Sequence, residues 1–336
     1  MPSLRTDRRT DFEDLLSNLR SKNNFILTTH KSSDPDGIGS ELGLYFLLES
    51  LGKKVMILNP DRIPDRYSFL DVSYRVNHFE PEKLNIIFPD PTVIVVDNSD
   101  IARIGDIAAY LKEDRSNLIV IDHHDGLEHF HGLFSFPEIG STSEIIYELI
   151  ELAGLKMDTN TAIAIYSGIV VDTGQFKYNK TRPRTHEIAA KLLEYRFSTE
   201  EIVRKIYEDS SYEVLFLKRD ILATLEVHRE YRLACIEITR KMLNKYNFTN
   251  NPAEGMTGEL LNSPDIKISV SFLESENGFV KLSFRSKGKF DVCSVAKNFN
   301  GGGHTNASGA TVKGELGSVK KMVLKQLKEM YEITQG

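Results

Sequence analysis

The chain has 336 residues, 40% of them hydrophobic and 27% charged, and its 42 basic and 48 acidic side chains leave a net charge of −6. Such a composition excludes disorder, collagen and coiled coil for the chain as a whole, and the length predicts about two domains. The acidic balance excludes a globally basic nucleic-acid coat but leaves room for a local basic patch.

In chain order, 24–29 (NFILTT) is predicted as a buried strand, and 37–51 places apolar residues at helical spacing. Strands are predicted at 54–58, 92–96 and 118–121. Short apolar strands alternating with a helix imply a mostly parallel sheet covered by helices on both faces. Helices are then predicted at 141–154, 160–170 and 185–197, the first opened by Ser141 and Glu144 as a capping box. A charged helical stretch spans 198–225. Strand patterns return at 232–238, 268–272 and 280–284, with a helix near 292–299. The fold expected is α/β: a parallel-sheet domain over 1–195, a helical linker over 196–229 and a smaller α/β domain with a mixed sheet over 230–336.

Cys235 and Cys293 form no CxxC pair and are expected to be small buried thiols. No run approaches the ~18 apolar residues of a membrane-spanning helix. Residues 1–19 mix Arg, Asp and Glu and have no apolar signal-peptide core. The expected address is the cytoplasm.

Polar residues gather where the strands end. The strand at 24–29 runs into His30, Asp34 and Asp36, that at 92–96 into Asp97, and that at 118–121 into Asp122, His123 and His124. Asp172 follows an apolar helix and precedes Thr173-Gly174. One carboxylate after a strand is commonly a helix cap, and Asp36 is placed to cap a helix starting at Gly37. Four polar clusters converging on one sheet edge would repel or desolvate one another unless a cation sat between them. Carboxylates and imidazoles without thiols suit hard-to-borderline divalent ions rather than structural zinc. Two such ions ~3.5–4 Å apart are the usual apparatus for displacement at phosphorus, with a deprotonated water between them as nucleophile.

HKSSDPD, VVDNSD, VIDHH and IVVDTG, in this order, resemble the four motifs of the DHH phosphoesterases. Asn300-Gly301-Gly302-Gly303-His304 resembles the GGGH motif of the DHH-associated domain, and Ser283-Phe284-Arg285-Ser286 resembles that domain's arginine strand. The resemblance implies that His30, Asp34 and Asp97 hold one manganese ion, and that Asp36, Asp97, His123 and Asp172 hold a second, with Asp97 bridging. It implies that His124 faces the scissile phosphate as a catalytic group beside Asp97, that Asp122 orients a neighbouring imidazole, and that Arg103 has a supporting role. Arg285, Gly301, Gly302, Gly303 and His304 would bind substrate. Five cations (Lys281, Arg285, Lys287, Lys289 and Lys297) against Asp291 alone make this stretch locally basic. Lys177, Lys180, Arg182 and Arg184 could line the same cleft or form a plain surface loop.

The activity implied is manganese-dependent hydrolysis of short oligoribonucleotides (nano-RNA, pApA), pAp or cyclic di-AMP by a homodimer, with no long nucleic acid and no membrane partner. Alternatives are a manganese inorganic pyrophosphatase and a catalytically silent nucleotide-binding regulator. His78, His186 and His228 lie outside any cluster. His129 and His131 are assigned to an exposed loop outside the metal site.

Overall fold

The computed structural model describes residues 8–80, 89–98, 100–124, 132–208, 211–253 and 255–335. The chain divides into two compact units, Met1–Asp209 and Ser210–Gly336.

The first unit is built on six parallel strands: β1 (Asn24–Thr28), β2 (Lys54–Asn59), β3 (Val76–His78), β4 (Thr92–Val96), β5 (Leu118–Asp122) and β6 (Leu133–Ser135). Their order is β3-β2-β1-β4-β5-β6. It reverses between β1 and β4, and at such a switch point the connections leave the sheet in opposite directions and open a crevice at the carboxyl ends. The edge strands β3 and β6 have three residues each, too few to show a sequence pattern.

Side chains alternate across the strands. Phe25, Leu27, Ile57, Ile94, Val96, Ile119 and Ile121 share one core with α1 (Arg9–Ser21), α2 (Pro35–Ser50), α3 (Thr142–Leu152), α4 (Thr159–Asp172), α5 (Pro183–Leu193) and α6 (Thr199–Tyr207). Ile26, Leu58, Val93, Val95, Leu118 and Val120 face the other way, onto Ile104 and Ile107 of the 3₁₀ segment Ile101–Tyr110. Among the described residues the cover is therefore lopsided. Each fully buried aliphatic side chain contributes about 1.5–3 kcal/mol. Helix α4 packs tightly on its neighbours because residue 168 is glycine. A Cβ there would lie 2.1 Å from Ser143 Oγ and 2.8 Å from Asp36 Oδ1.

The second unit carries β7 (Glu226–His228), β8 (Leu233–Ile238), β9 (Ile268–Glu274), β10 (Phe279–Ser286), β11 (Gly302–His304) and β12 (Ala307–Lys313) in the order β11-β12-β10-β9-β8-β7. Among the described residues only β8 and β9 pair in parallel, so the sheet is mixed. Leu282 and Phe284 bury against α10 (Val292–Lys297) and α11 (Leu316–Gln335). Ala234, Ile236 and Ile238 bury on the opposite face with α7 (Tyr212–Leu222), α8 (Arg240–Lys245) and α9 (Met256–Glu259). The expected linker is shared between the units: α6 sends Ile202 and Ile206 into the first core, and α7 sends Leu217 and Ile221 into the second. No helix among the described residues is long and apolar enough to cross a membrane.

Candidate metal centre

His30 sits just past β1. Asp34 is the N-cap of α2, its Oδ1 accepting the N–H groups of Asp36 (2.9 Å) and Gly37 (3.2 Å). This corrects the expectation that Asp36 caps that helix. Asp36 lies inside the first turn, and its carboxylate reaches the start of α3, accepting from Thr142 N (2.7 Å) and Ser143 N (2.8 Å). Two otherwise orphan N–H groups and the positive end of a helix dipole hold that carboxylate in place. Asp97 directly follows β4 at φ 56°, a left-handed conformation that Asp tolerates better than most residues. Its N–H donates to Ile121 O (3.0 Å), and its Oδ1 accepts from Thr142 Oγ1 (3.1 Å). Asp172 is the last residue of α4.

These elements bring the donors together. His123 Nε2 lies 2.8 Å from Asp172 Oδ2, 3.5 Å from Asp97 Oδ1 and 3.9 Å from Asp36 Oδ2, and His30 Nε2 lies 3.6 Å from Asp97 Oδ2. Two groups have all their donor atoms within 4.8 Å of one another: His30, Asp34 and Asp97, and Asp36, Asp97, His123 and Asp172. They share Asp97. Asp36 is fully buried, and Asp97, His123 and His30 nearly so.

The electrostatics describe a site short of positive charge. Burial, then the Asp97 charge, raises the Asp34 pKa to about 6 and pushes Asp36 well above the usual carboxylate range. Burial also raises Asp172. Burial acts the same way on Asp97, but the imidazoles of His123 and His30 facing it outweigh burial and hold its pKa down. Burial disfavours charge on His30 and His123, yet the facing carboxylates raise both. Without a metal the cluster holds protons that a divalent cation would displace. His123 Nε2 is buried and makes no contact of hydrogen-bond geometry, its 2.8 Å approach to Asp172 included. An orphaned imidazole nitrogen among carboxylate oxygens fits a hard-to-borderline metal ion.

Around this cluster, Asp122 Oδ1 accepts the N–H groups of His123 (2.7 Å) and His124 (3.1 Å) and lies 2.6 Å from His124 Nδ1. His124 is about one-third exposed. Arg103 Nη2 lies 2.9 Å from His30 Nδ1, which is also 2.8 Å from Lys31 O. Lys180 Nζ donates to His123 O (3.2 Å). Arg182 pairs with Glu144 (3.2 Å), and Arg184 with Glu148 (2.7 Å), Glu187 (3.2 Å) and Glu151. Much of the basic run 177–184 is thus tied to the acidic side of α3. Thr142 and Ser143 were missed in the sequence. The capping box at Ser141 was the available signal, but it does not reveal which carboxylate the next two N–H groups meet. His129 and His131 lie outside the described residues.

In the second unit, Arg285 of β10 and His304 of β11 are both in register with Ala307 of β12. Residues paired across antiparallel strands point to one face, so the register sets the guanidinium and the imidazole on the same side of the sheet. Two of the three glycines have a steric reason to be there. A Cβ at Gly301 would lie 2.1 Å from Gly309 O, and one at Gly303 would lie 2.6 Å from Ala307 O, whereas Gly302 faces open space.

A parallel sheet with a carboxylate–imidazole cluster at its switch point, in a chain whose second unit sets an Arg and a His on one face of a mixed sheet, defines a metal-dependent phosphoesterase. The chain belongs to the DHH family. The model of the DHH family N-terminal domain matches residues 24–169, and that of the DHHA1 domain matches residues 234–332. The chain is 31% identical over 303 residues to the bifunctional oligoribonuclease and PAP phosphatase NrnA of Bacillus subtilis, covering 89% of this chain and 92% of that one. It is 25% identical to the cyclic-di-AMP phosphodiesterase GdpP of the same organism, over 89% of this chain and 47% of the relative. The crystal structure of an exopolyphosphatase-related protein from Bacteroides fragilis superposes with a TM-score of 0.89 at 28% identity, covering 98% of both chains.

Proposed function

We propose that this chain hydrolyses short nucleotide phosphoesters with two Mn²⁺ ions. His30, Asp34 and Asp97 would hold one ion, and Asp36, Asp97, His123 and Asp172 the other. The observation that carries this reading is the pair of donor groups meeting at Asp97. Two such ions lower the pKa of a water and offset charge building on the phosphoryl oxygens. Asp122 fixes His124 through Nδ1, which leaves Nε2 to bind a phosphate oxygen or protonate the leaving oxygen. With Nε2 on the metal, the His30 Nδ1–H would donate to the Lys31 carbonyl at 2.8 Å, which orients the ring, while Arg103 packs beside it. Arg285, His304 and the glycine run Gly301–Gly303 are assigned to the substrate's phosphate, which a guanidinium can grip with two parallel hydrogen bonds. Similarity to an oligoribonuclease and PAP phosphatase supports linear substrates, namely di- to penta-ribonucleotides, pApA and pAp. Cyclic di-AMP is a second reading, favoured by the weaker similarity to a cyclic-di-AMP phosphodiesterase. We place the activity in the cytoplasm.

The test is turnover of pApA, pAp, a five-nucleotide RNA, cyclic di-AMP and pyrophosphate in Mn²⁺, with Asp97→Ala alongside. The expected result is cleavage of the linear nucleotides and no activity in the variant. Preference for pyrophosphate, or no turnover of any nucleotide, overturns the reading.

A further inference from the structure

The sequence places His228 outside any cluster, and the structure corrects this. His228, Glu226 and Cys235 bring their donor atoms within 4.8 Å of one another in the second unit. The strand pairing explains how. Glu226 of the edge strand β7 stands opposite Cys235 of β8, and His228, two residues on, points to the same face. Glu226 Oε2 is 4.0 Å from His228 Nε2 and 4.0 Å from Cys235 Sγ.

We propose that Glu226, His228 and Cys235 form a second metal site, selective for a thiolate-binding divalent ion of the Zn²⁺ class and independent of the carboxylate cluster in the first unit. Ligands at ~2.0–2.3 Å around tetrahedral zinc lie ~3.3–3.6 Å apart, so the observed 4.0 Å separations need to contract by about half an ångström. His228 Nε2 is buried and has no hydrogen-bond partner. Burial, then the nearby Lys328, lowers the His228 pKa, so the imidazole is neutral and carries the lone pair a metal needs. Lys320 Nζ holds Glu226 Oε1 at 2.6 Å and also grips Glu237 (2.5 Å), which leaves Oε2 turned towards His228 and Cys235. The Lys320 charge opposes a cation, and the carboxylates of Glu226 and Glu237 with a Cys235 thiolate offset it. Burial raises the Cys235 thiol to about 11, so binding forms a metal–sulfur bond and releases one proton to solvent. The soft sulfur discriminates against Mn²⁺. Three protein ligands leave one position for water.

The experiment is a Co²⁺ titration of the full chain, followed by thiolate-to-metal charge-transfer absorption, which only a cysteine ligand produces. One equivalent of the band is expected in the wild type, in Cys293→Ser and in Asp97→Ala, with displacement by Zn²⁺ but not by excess Mn²⁺. Cys235→Ser should abolish it. His228→Gln, at a partly exposed position, should weaken Co²⁺ binding at least ~10-fold while leaving circular dichroism unchanged. No band in the wild type, a band surviving in Cys235→Ser, or unchanged affinity in His228→Gln overturns the proposal. Retention of the band in Asp97→Ala separates its fate from that of the catalytic reading.

Discussion

In the first unit the candidate catalytic groups are enclosed: Asp36 is 0% and Asp97 3% exposed, and backbone N–H groups, a threonine hydroxyl and a helix start hold their oxygens. In the second unit Gly302, Gly303 and His304 are exposed on the edge strand β11. The contrast is between preorganisation and display. Clustered carboxylates can be buried only where each oxygen has a fixed partner and a cation is expected, because unpaired burial is costly. Groups that would meet a substrate phosphate from solvent need no such enclosure, and here strand register sets them on one face.

The sharpest way to break this comparison is Asp97→Ala. Both donor groups pass through Asp97, so its loss should lower kcat for pApA by at least ~10³-fold, with Mn²⁺ binding measured by calorimetry falling in parallel. Turnover within tenfold of wild type would show that the shared carboxylate is not the centre of the site. The second unit should respond differently. Arg285→Ala with His304→Ala should raise KM, cutting kcat/KM by about 10–100-fold and leaving Mn²⁺ affinity unchanged. A matching loss of metal affinity would erase the distinction between the two regions.

How much was legible in the sequence follows the same divide. His30, Asp34, Asp97, Asp122 and His123 each follow or end an apolar strand, and Asp172 ends an apolar helix, so the four clusters and the parallel sheet could be read from local pattern. The support of Asp36 could not, because it comes from α3, more than a hundred residues away in the chain. The edge strands β3, β6 and β7 are three residues long and carry no usable period. For that reason the sequence set His228 outside any cluster. Its partner Cys235 lies on a different strand, and only the pairing register joins them. The glycines of the GGGH run suggested an anion cradle, yet close approach within a hairpin already requires two of them.

Thr142 tests the enclosure one step out from the donors. Thr142→Val removes the hydroxyl on Asp97 while keeping the backbone N–H on Asp36, so Mn²⁺ affinity should fall by ~10-fold in calorimetry, and Thr142→Ser should restore it. Equal affinities in all three proteins would make the hydroxyl incidental.

The smallest effect concerns a buried acid outside the cluster. Glu41 on α2 is fully buried; its Oε2 accepts from Asn59 Nδ2 at 2.8 Å, while its Oε1 and Asn59 Oδ1 have no partner. Burial pushes its pKa well above the usual carboxylate range, with Asp71 adding to the shift. A protonated Glu41 could donate to Asn59 Oδ1 and satisfy both orphans. The folded chain then binds this proton more tightly than the unfolded chain, whose Glu titrates near about 4.3. The stabilisation is complete below that value and is lost as pH rises through the folded pKa. Glu41→Gln keeps the shape of the protonated acid and replaces its O–H donor by an amide. In thermal melts of metal-free protein, the variant should match wild type at low pH and gain on it as pH rises, by about 1–2 kcal/mol, or ~2–8 °C for a unit of this size. The same variant should leave Mn²⁺ affinity unchanged, because Glu41 belongs to neither donor group. A wild-type advantage that grows with pH would show that the first unit holds an ionised carboxylate here without a cation, contrary to the rule its metal cluster suggests.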